Sequence, residues 1–207
     1  LIGLKCAEGI TGRVKKVTVC DLADRIFSSI LDYDCAEMMQ RHLQEHGMEF
    51  LLNDSAVLFK GNKAFMKSGS EVEFDILVLA VGVRPNISLI NDAGGETNRG
   101  ILVNDHMHTS IPDIYAVGDC VEIPDIASGR KKVLATLPNA AMQGFTAGVN
   151  MAGGSSVFDK GILMNSFGFF GYPAMTAGSY EGDLFEVRTE DSIKRIYTKD
   201  DLYLYNI

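Results

Sequence analysis

Hydrophobic and polar residues follow two different periods in the first quarter of the chain. Apolar and small residues recur at helical spacing over residues 4–11 and stop near Gly12, and the β-branched run over residues 15–22 is typical of a buried strand. Residues 31–46 form an amphipathic helical pattern that stops at Gly47, the usual kind of residue after a helix. This alternation of helix and strand predicts an α/β fold.

The next segment favours short antiparallel strands. Residues 48–52 are a candidate strand, and residues 56–73 alternate weakly around the Gly-Asn and Ser-Gly turn pairs at 61–62 and 68–69. We therefore expect a small antiparallel meander, followed by another strand in the strongly apolar segment 74–81.

The second half of the chain begins with a predicted strand, loop and strand over residues 101–117. Residues 136–152 predict a helix that is opened by Pro138 and closed by the glycine pair at 153–154.

The composition changes after Ser156. Glycine and aromatic residues cluster in MNSFGFFGYPAMTAG, and the last residues are typical of strands joined by a turn at 199–201. We place a domain boundary between residues 153 and 158.

Charge and hydropathy argue against two classes of partner. The chain has 19 Lys and Arg residues against 27 Asp and Glu, a formal net charge of -8, and no basic run, so no nucleic-acid partner is expected. The longest apolar stretches, such as residues 76–83, are too short to span a bilayer, so no membrane partner is expected.

The cysteines and histidines show no spacing typical of a metal or redox site. The cysteines form no CxxC pair and no secretory segment precedes them, so we expect reduced thiols in a cytoplasmic protein. Cys120 follows Asp119, but a small buried thiol is the favoured interpretation because no base or cation is evident beside it. No metal site is predicted, and the histidines are assigned to surface or structural roles. The residues concerned are Cys6, Cys20, Cys35, Cys120, His42, His46, His106 and His108.

Gly3 and Asp21 carry the first nucleotide signal. A dinucleotide site uses a glycine-rich turn at a helix N-terminus and an acidic residue about 20 positions later for the ribose. Gly3 can be the third glycine of such a turn, and Asp21 follows it by 18 residues at the end of the predicted strand. The alternative is an ordinary surface carboxylate at a strand end.

Asp21 favours NADH over NADPH, because a carboxylate accepts hydrogen bonds from both ribose hydroxyls and repels a 2′-phosphate. Arg25 lies just beyond the strand and leaves two interpretations open. It can tolerate a phosphate, or it is a solvated surface arginine, which is the favoured interpretation.

The second signal is the segment 109–119, TSIPDIYAVGD, in which a predicted strand at 114–117 leads to Gly118 and Asp119. A carboxylate after a glycine at a strand end can accept a hydrogen bond from a polyol hydroxyl while the backbone approaches the ligand closely. A simple Gly-Asp turn is the alternative.

Five motifs occur together in one order: LIGLKCAE, VTVCDLADR, LAVGVRPN, TSIPDIYAVGD and LPNAAMQGFTAG. Through them almost the whole chain resembles the pyridine nucleotide-disulfide oxidoreductase family of flavoproteins. The resemblance is closest to NADH oxidases, NADH peroxidases, coenzyme A-disulfide reductases, and rubredoxin- or nitrite-reductase-like flavoproteins. It implies FAD and NADH as cofactors.

For NADH, the resemblance implies that Ile2 and Gly3 lie at the pyrophosphate, Asp21 at the adenosine ribose and Ile30 beside the adenine end. Ile2 and Ile30 are also ordinary core residues by type. Gly82, in the stretch AVGVRPN, is implied to let the nicotinamide pass close to the backbone.

For FAD, the resemblance implies that Gly118 and Asp119 meet the ribityl chain. Ala135, Leu137 and Pro138 fall in the stretch whose backbone meets the isoalloxazine ring. The helix that starts there directs its amides and dipole at negative charge on the reduced flavin. Pro138 is also explained as the first helical residue, the N1 position.

The resemblance implies three parts: a partial Rossmann-like NADH domain at residues 1–77, the second half of the FAD domain at 78–155, and a partial α+β interface domain at 156–207 that builds a homodimer. Four aromatic residues are either interface residues or part of the chain's own core. They are Phe167, Phe169, Phe170 and Tyr172.

The chain opens at Leu1 and lacks the first strand and first two glycines of the NADH fingerprint, so we expect a C-terminal fragment that does not form a complete cofactor site alone. The function expected is hydride transfer from NADH to FAD and on to an acceptor, with no catalytic side chain identified. The acceptor is dioxygen, peroxide, a disulfide, or a protein carrier. The alternative function is a nucleotide-binding or assembly module without turnover.

Overall fold

The structure, a computed structural model, describes residues 1–199 and 202–206. The chain divides into two compact units. The first comprises Leu1–Gly82 and Ser166–Ala174, and the second comprises Val83–Asn165 and Met175–Ile207. The division into NADH, FAD and interface domains at residues 77 and 155 stays a prediction.

The first unit combines two helices, a parallel strand pair and a three-stranded meander. Its elements in chain order are α1 (Ile2–Thr11), β1 (Val17–Cys20), α2 (Tyr33–Glu45), β2 (Met48–Leu51), β3 (Ala56–Lys60), β4 (Lys63–Met66) and β5 (Glu71–Glu73). Strands β1 and β2 are parallel, whereas β3, β4 and β5 pair antiparallel in that order. The predicted helix–strand alternation and the meander are confirmed, and the α/β fold class holds.

Helix α2 shows how local sequence sets its ends. The side chain of Asp32 accepts a hydrogen bond of 3.0 Å from the backbone N–H of Cys35, which caps the first turn. The chain leaves the helix at Gly47, whose φ of 87° lies in the left-handed region that favours glycine.

Apolar side chains from both helices and the strand pair form the core of the first unit. Phe169, from the distant segment 166–174, is part of this core. The buried members are Leu4, Ala7, Val17, Ile26, Phe27, Leu31, Ala36, Met39, Leu43, Met48 and Phe169.

The apolar segment 74–81 differs from the sequence prediction. It is not a strand, and Ile76, Leu79 and Val81 are 66%, 67% and 93% exposed. A buried strand requires hydrogen-bonded neighbours at its edges. Among the described residues no strand pairs with this segment, which is why the expected strand is wrong.

The second unit contains the remaining elements, and one hairpin is divided between the units. The elements are α3 (Ser88–Asp92), β6 (Ile101–Leu102), β7 (Val121–Asp125), β8 (Arg130–Lys132), α4 (Leu137–Met151), β9 (Met164–Phe169), β10 (Tyr172–Ala177), β11 (Asp183–Arg188), β12 (Ile193–Lys199) and β13 (Leu202–Asn206). The tip of the β9–β10 hairpin belongs to the first unit.

Two sheets organise the second unit. Strand β7 pairs parallel with β6 and antiparallel with β8, and β11, β12 and β13 form an antiparallel sheet. The predicted helix at 136–152 and the predicted terminal strands are confirmed. The turn expected at 199–201 includes residues 200 and 201, which lie outside the described residues.

The strand predicted at 114–117 is wrong. Only Tyr115 makes an isolated bridge, to His108, and the regular strand β7 begins after Asp119. The segment is too short for a ladder because it lies between Asp113, with a φ of 60°, and Gly118, with a φ of 86°. The hydroxyl of Thr109 also donates to the carbonyl of Ile114 at 3.0 Å, which closes this stretch as a loop.

No helix among residues 1–199 and 202–206 is both long enough and apolar enough to cross a membrane.

Asp125, at the end of β7, is a buried carboxylate of the second unit. Burial alone raises the pKa of this carboxyl, but hydrogen bonds from the Ser128 hydroxyl at 2.6 Å and Lys132 Nζ at 3.0 Å outweigh it. Together with the backbone N–H of Ala127 they hold the pKa of Asp125 below its ordinary value. The ionised carboxylate therefore joins the β7–β8 turn to β8.

We expect Asp125→Asn to destabilise the full-length protein by about 1–3 kcal/mol near neutral pH, because it removes a partly buried charge-assisted hydrogen bond. A lowered folded-state pKa gives stability that is present above the unfolded-state pKa and is lost as pH falls through the folded value. The difference between wild type and variant in urea denaturation should therefore shrink in acid. Asp92→Asn, at an exposed aspartate, is the control, and equal midpoints for wild type and Asp125→Asn at neutral pH would contradict the prediction.

Candidate functional site

Gly3 lies where helix α1 passes closest to the apolar segment 74–81. A Cβ atom built on Gly3 would be 3.0 Å from Cβ of Ala80, tighter than ordinary van der Waals contact. In dinucleotide-binding folds the third glycine of the fingerprint allows close helix–strand packing, whereas the segment that Gly3 meets here is not a strand. The contact gives a packing reason for glycine at position 3, and the place of Gly3 in the fingerprint stays a prediction.

Asp21 lies directly after β1, at the carboxyl end of the parallel pair. Its backbone N–H donates to the carbonyl of Leu51 at 3.0 Å, which continues the β1–β2 ladder by one residue. Its Oδ1 accepts from the backbone N–H of Ala23 at 2.9 Å, and the residue is exposed. In open α/β sheets ligands bind outside the carboxyl ends of the strands, so the position suits a ribose-binding acid.

Arg25 is not the solvated surface arginine that the sequence favoured. Its Nη1 donates to Asp24 Oδ1 at 2.9 Å and its Nη2 to the carbonyl of Ser28 at 3.2 Å. Its Nε is buried and has no hydrogen-bond partner in the described part of the chain. The guanidinium is therefore held by its own loop, which does not favour the phosphate-tolerating alternative.

The two isoleucines assigned to NADH occupy different environments. Ile2, at the start of α1, is 76% exposed and is not a core residue. Ile30 is partly buried and packs against the core of the first unit. It therefore contributes to the fold independently of any contact with a cofactor.

Position 82 favours glycine because of its backbone conformation, and not because a side chain would lack room. Its φ is 95°, and a Cβ there would find no atom within 4 Å. Its neighbours Val81 and Val83 are each 93% exposed. An exposed backbone in a glycine-only conformation is accessible to a ligand.

In the second unit, Gly118 is fixed by a side chain from helix α4. Its backbone N–H donates to Oε1 of Gln143 at 2.6 Å, and Gln143 is only 1% exposed. The φ of Gly118 is 86°, so the chain turns there in a conformation that favours glycine. The following residue, Asp119, is exposed, as a ligand-binding carboxylate must be.

The helix N-terminus assigned to the flavin is open. Helix α4 has no side-chain cap, its first residue Leu137 is 84% exposed, and Ala135 and Pro138 are exposed. Thr136 is the N-terminal flanking residue, so Pro138 lies one position later than the sequence suggested. Uncapped first-turn amides are free to meet the electronegative edge of a ligand.

Sequence reasoning missed the buried polar face of α4. Asn139 is 1% exposed, and its Nδ2 donates to the carbonyls of Leu134 and Ile162 at 3.2 and 2.9 Å. Its bond to Leu134 fixes the residue before Ala135. The signal was available as polar residues at a regular helical spacing, all now buried: Asn139, Gln143, Thr146 and Asn150.

Cys20 and Cys120 are the cysteines beside the candidate carboxylates Asp21 and Asp119, and neither shows the surroundings of an activated thiol. Desolvation and the carboxylates of Asp54 and Asp21 raise the pKa of the Cys20 thiol, which disfavours a thiolate. Cys120 is partly buried, and its sulfur donates to the carbonyl of Val117 at 3.4 Å. Among the described residues no group of three or more His, Cys, Asp or Glu side chains could hold a metal ion.

A helix that leads into a parallel strand ending at a carboxylate is an arrangement that α/β dinucleotide-binding proteins use. Residues 1–144 match the family described as pyridine nucleotide-disulphide oxidoreductase. The chain belongs to this family, whose members use FAD and NADH, and this confirms the resemblance found in the sequence.

Individual relatives agree with the family assignment. The chain is 38% identical over 161 residues to an NADH oxidase of Methanocaldococcus jannaschii, covering 76% of this chain and 36% of that protein. It is 29% identical over 161 residues to a rubredoxin-NAD(+) reductase of Pseudomonas putida, covering 75% of this chain and 42% of the relative.

A solved structure agrees at the level of fold. The FAD-dependent pyridine nucleotide-disulphide oxidoreductase from Desulfovibrio vulgaris superposes with a TM-score of 0.84 at 27% identity, over 94% of this chain and 53% of that one. The chain therefore spans about half or less of the length of these relatives.

We expect replacement of glycine by alanine to have opposite effects on stability at two positions of α1, Gly9 and Gly3. Gly9→Ala meets no atom within 4 Å and should stabilise the full-length protein by about 0.5–1 kcal/mol, because alanine is the better helix former. Gly3→Ala forces a 3.0 Å contact with Ala80 and should weaken NADH binding and lower the unfolding midpoint. Thermal unfolding and NADH titration check both, and equal behaviour of the two variants would contradict the role of Gly3.

We expect Gln143→Met to weaken FAD binding, because it leaves the backbone N–H of Gly118 without its acceptor at a cost of about 1–3 kcal/mol. Gln143→Glu keeps an acceptor oxygen and should bind FAD more tightly than Gln143→Met. Flavin retention of the full-length protein under increasing urea measures the difference, and equal retention in wild type and Gln143→Met contradicts it.

Proposed function

We propose that the protein containing this chain transfers hydride from NADH to FAD and passes the electrons to an acceptor. The observation that carries the proposal is the run from Gly3 through α1 and β1 to Asp21, whose order and spacing match the latter part of a dinucleotide-binding unit. The relatives, an NADH oxidase and a rubredoxin-NAD(+) reductase among them, support this class of reaction.

The residues of this chain bind and orient the cofactors. Asp21 is proposed to accept hydrogen bonds from the adenosine ribose, with Ile2 and Gly3 at the pyrophosphate, Ile30 at the adenine end and Gly82 at the nicotinamide. The carboxylate of Asp21 and the engagement of Arg25 with its own loop both support NADH over NADPH.

The proposed FAD contacts come from the second unit. Asp119 is proposed to bind the ribityl chain, with Gly118 allowing the close approach. Ala135, Leu137 and Pro138 at the open N-terminus of α4 are proposed to hold the flavin ring, where the helix dipole would stabilise negative charge on the reduced cofactor. The flavin supplies the two-electron chemistry when bound.

The electron acceptor is proposed at the level of class: a small molecule such as dioxygen, peroxide or a disulfide, or a redox protein. The name of the Pseudomonas putida relative supports the last of these. A homodimer and a cytoplasmic location are parts of the same proposal, the second supported by four free cysteines. A nucleotide-binding module without turnover is the alternative.

We expect the full-length protein to bind FAD and to lose its visible flavin absorbance when NADH is added without oxygen. Asp21→Asn should raise the KM for NADH by about 10–100-fold, since a hydrogen bond to a charged group is worth about 1.5–3 kcal/mol. The KM for NADPH should change less, because the carboxylate repels its phosphate.

The control for that experiment is Glu45→Gln, an equal charge change at the exposed end of α2. A flavin that stays oxidised in the presence of NADH would exclude the proposed reaction and favour the module without turnover. An unchanged KM in Asp21→Asn would remove the ribose assignment alone.

A further inference from the structure

The tip of the β9–β10 hairpin is built into the first unit although it follows α4 in the sequence. Phe169 is completely buried there, and Phe167, Phe170 and Tyr172 pack against the same core. Of the two alternatives that the sequence left for these aromatic residues, the structure shows the chain's own core.

Polar contacts fix the tip to helix α1. The backbone N–H of Phe170 donates to Oε1 of Glu8 at 2.6 Å, and Nζ of Lys5 donates to the carbonyl of Gly168. Lys5 Nζ also lies 2.5 Å from Oε2 of Glu8 and 4.4 Å from the centre of the Phe169 ring. The hydrogen bond from Lys5, together with that from Phe170, holds the pKa of the Glu8 carboxyl below its ordinary value. The tip is therefore held on α1 by an ionised pair and not by packing alone.

Helix α2 holds the tip from a second side. Nε2 of His42 donates to the carbonyl of Phe169 at 2.9 Å, and the ring of His46 stacks on the ring of Phe170 with centres 4.3 Å apart. Contacts with both helices therefore hold the backbone from Gly168 to Phe170.

The residue that Phe169 meets in the core belongs to the loop after Asp21. The ring of Phe27 lies 5.6 Å from that of Phe169 and 5.0 Å from that of Phe167, and Phe27 is 6% exposed. Its φ is 53°, a conformation that is an outlier for a bulky residue and persists only when the surroundings enforce it. The two rings of the hairpin tip are part of those surroundings.

Phe27 in turn holds the backbone of Ile30, one of the candidate NADH residues. Its carbonyl accepts from the backbone N–H groups of Ile30 and Leu31 at 2.7 and 2.8 Å. Asp21 begins this loop and Ile30 lies near its end. A shift of Phe27 therefore moves Ile30, whereas Asp21 is held at the start of the loop by its own hydrogen bond to Leu51.

We propose that Phe169 is a positioning residue for the adenosine half of NADH, acting through Phe27 on the loop from Asp21 to Ile30; this rests on the proposed function. Phe169 touches no cofactor atom in this proposal. It supports the loop from the core, and the carboxylate of Asp21 stays exposed at the surface.

The test is Phe169→Ala in the full-length flavoprotein, assayed with NADH and with reduced nicotinamide mononucleotide, which lacks the adenosine half. The KM for NADH is expected to rise by about tenfold, the scale on which small misplacements of a binding group act, with kcat little changed. The kcat/KM for the mononucleotide should stay at the wild-type value. Phe169→Leu, which keeps most of the apolar volume, should restore the KM for NADH.

Phe185→Ala is the matched control, because this aromatic side chain is 62% exposed in β11. If Phe169→Ala does not accumulate as a flavin-containing protein, Phe167→Ala tests the same contact from the partly buried ring. Equal losses with both donors overturn the inference, as does an unchanged KM for NADH. A wild-type protein whose flavin NADH cannot reduce overturns the proposed function itself.

Discussion

Parallel pairing between β1 and β2 is the constraint on which the candidate NADH site depends. The register joins Val17 to Met48 and Cys20 to Leu51, and the next hydrogen bond, from the N–H of Asp21, extends it by one residue. A one-residue slip in a strand sends its side chains to the opposite face. The register therefore decides both that Val17 enters the core and that Asp21 stands at the ligand-binding edge.

Capping and turn residues in the sequence correctly predict helix α2 and the antiparallel meander, because these elements depend on interactions between nearby residues. The helix that ends before Gly47, and the meander with its glycine turns, follow from capping and turn chemistry within a few residues. The segments 74–81 and 114–117 were predicted as strands because they are apolar, and both predictions are wrong. A strand needs partners distant in the sequence, and hydrophobic pattern alone does not reveal whether those partners are present.

Helix α4 shows a second limit of pattern reasoning. Its buried positions include Asn139 and Gln143, whereas Leu137 and Phe145 are 84% and 71% exposed. A rule that buries the apolar stripe assigns the wrong face of this helix. The polar side chains are buried because they form hydrogen bonds with loop backbone. Gln143 accepts from the N–H of Gly118, and Asn139 donates to the carbonyls of Leu134 and Ile162, which precede and follow the helix in the sequence. Such partners become visible only once the loops are folded against the helix.

The two units fix their candidate cofactor loops in the same way. The loop of Asp21 is anchored by Phe169, and the turn of Gly118 by Gln143, in each case a residue distant in sequence. A loop that binds a ligand must keep one side exposed, so the contacts that order it have to come from the other side. Binding residues need this support, because a carboxylate misplaced by an ångström loses much of its effect. Residues on the supporting side of these loops, such as Phe169 and Gln143, therefore belong to the candidate sites, and a search of the sequence for binding motifs alone passes over them.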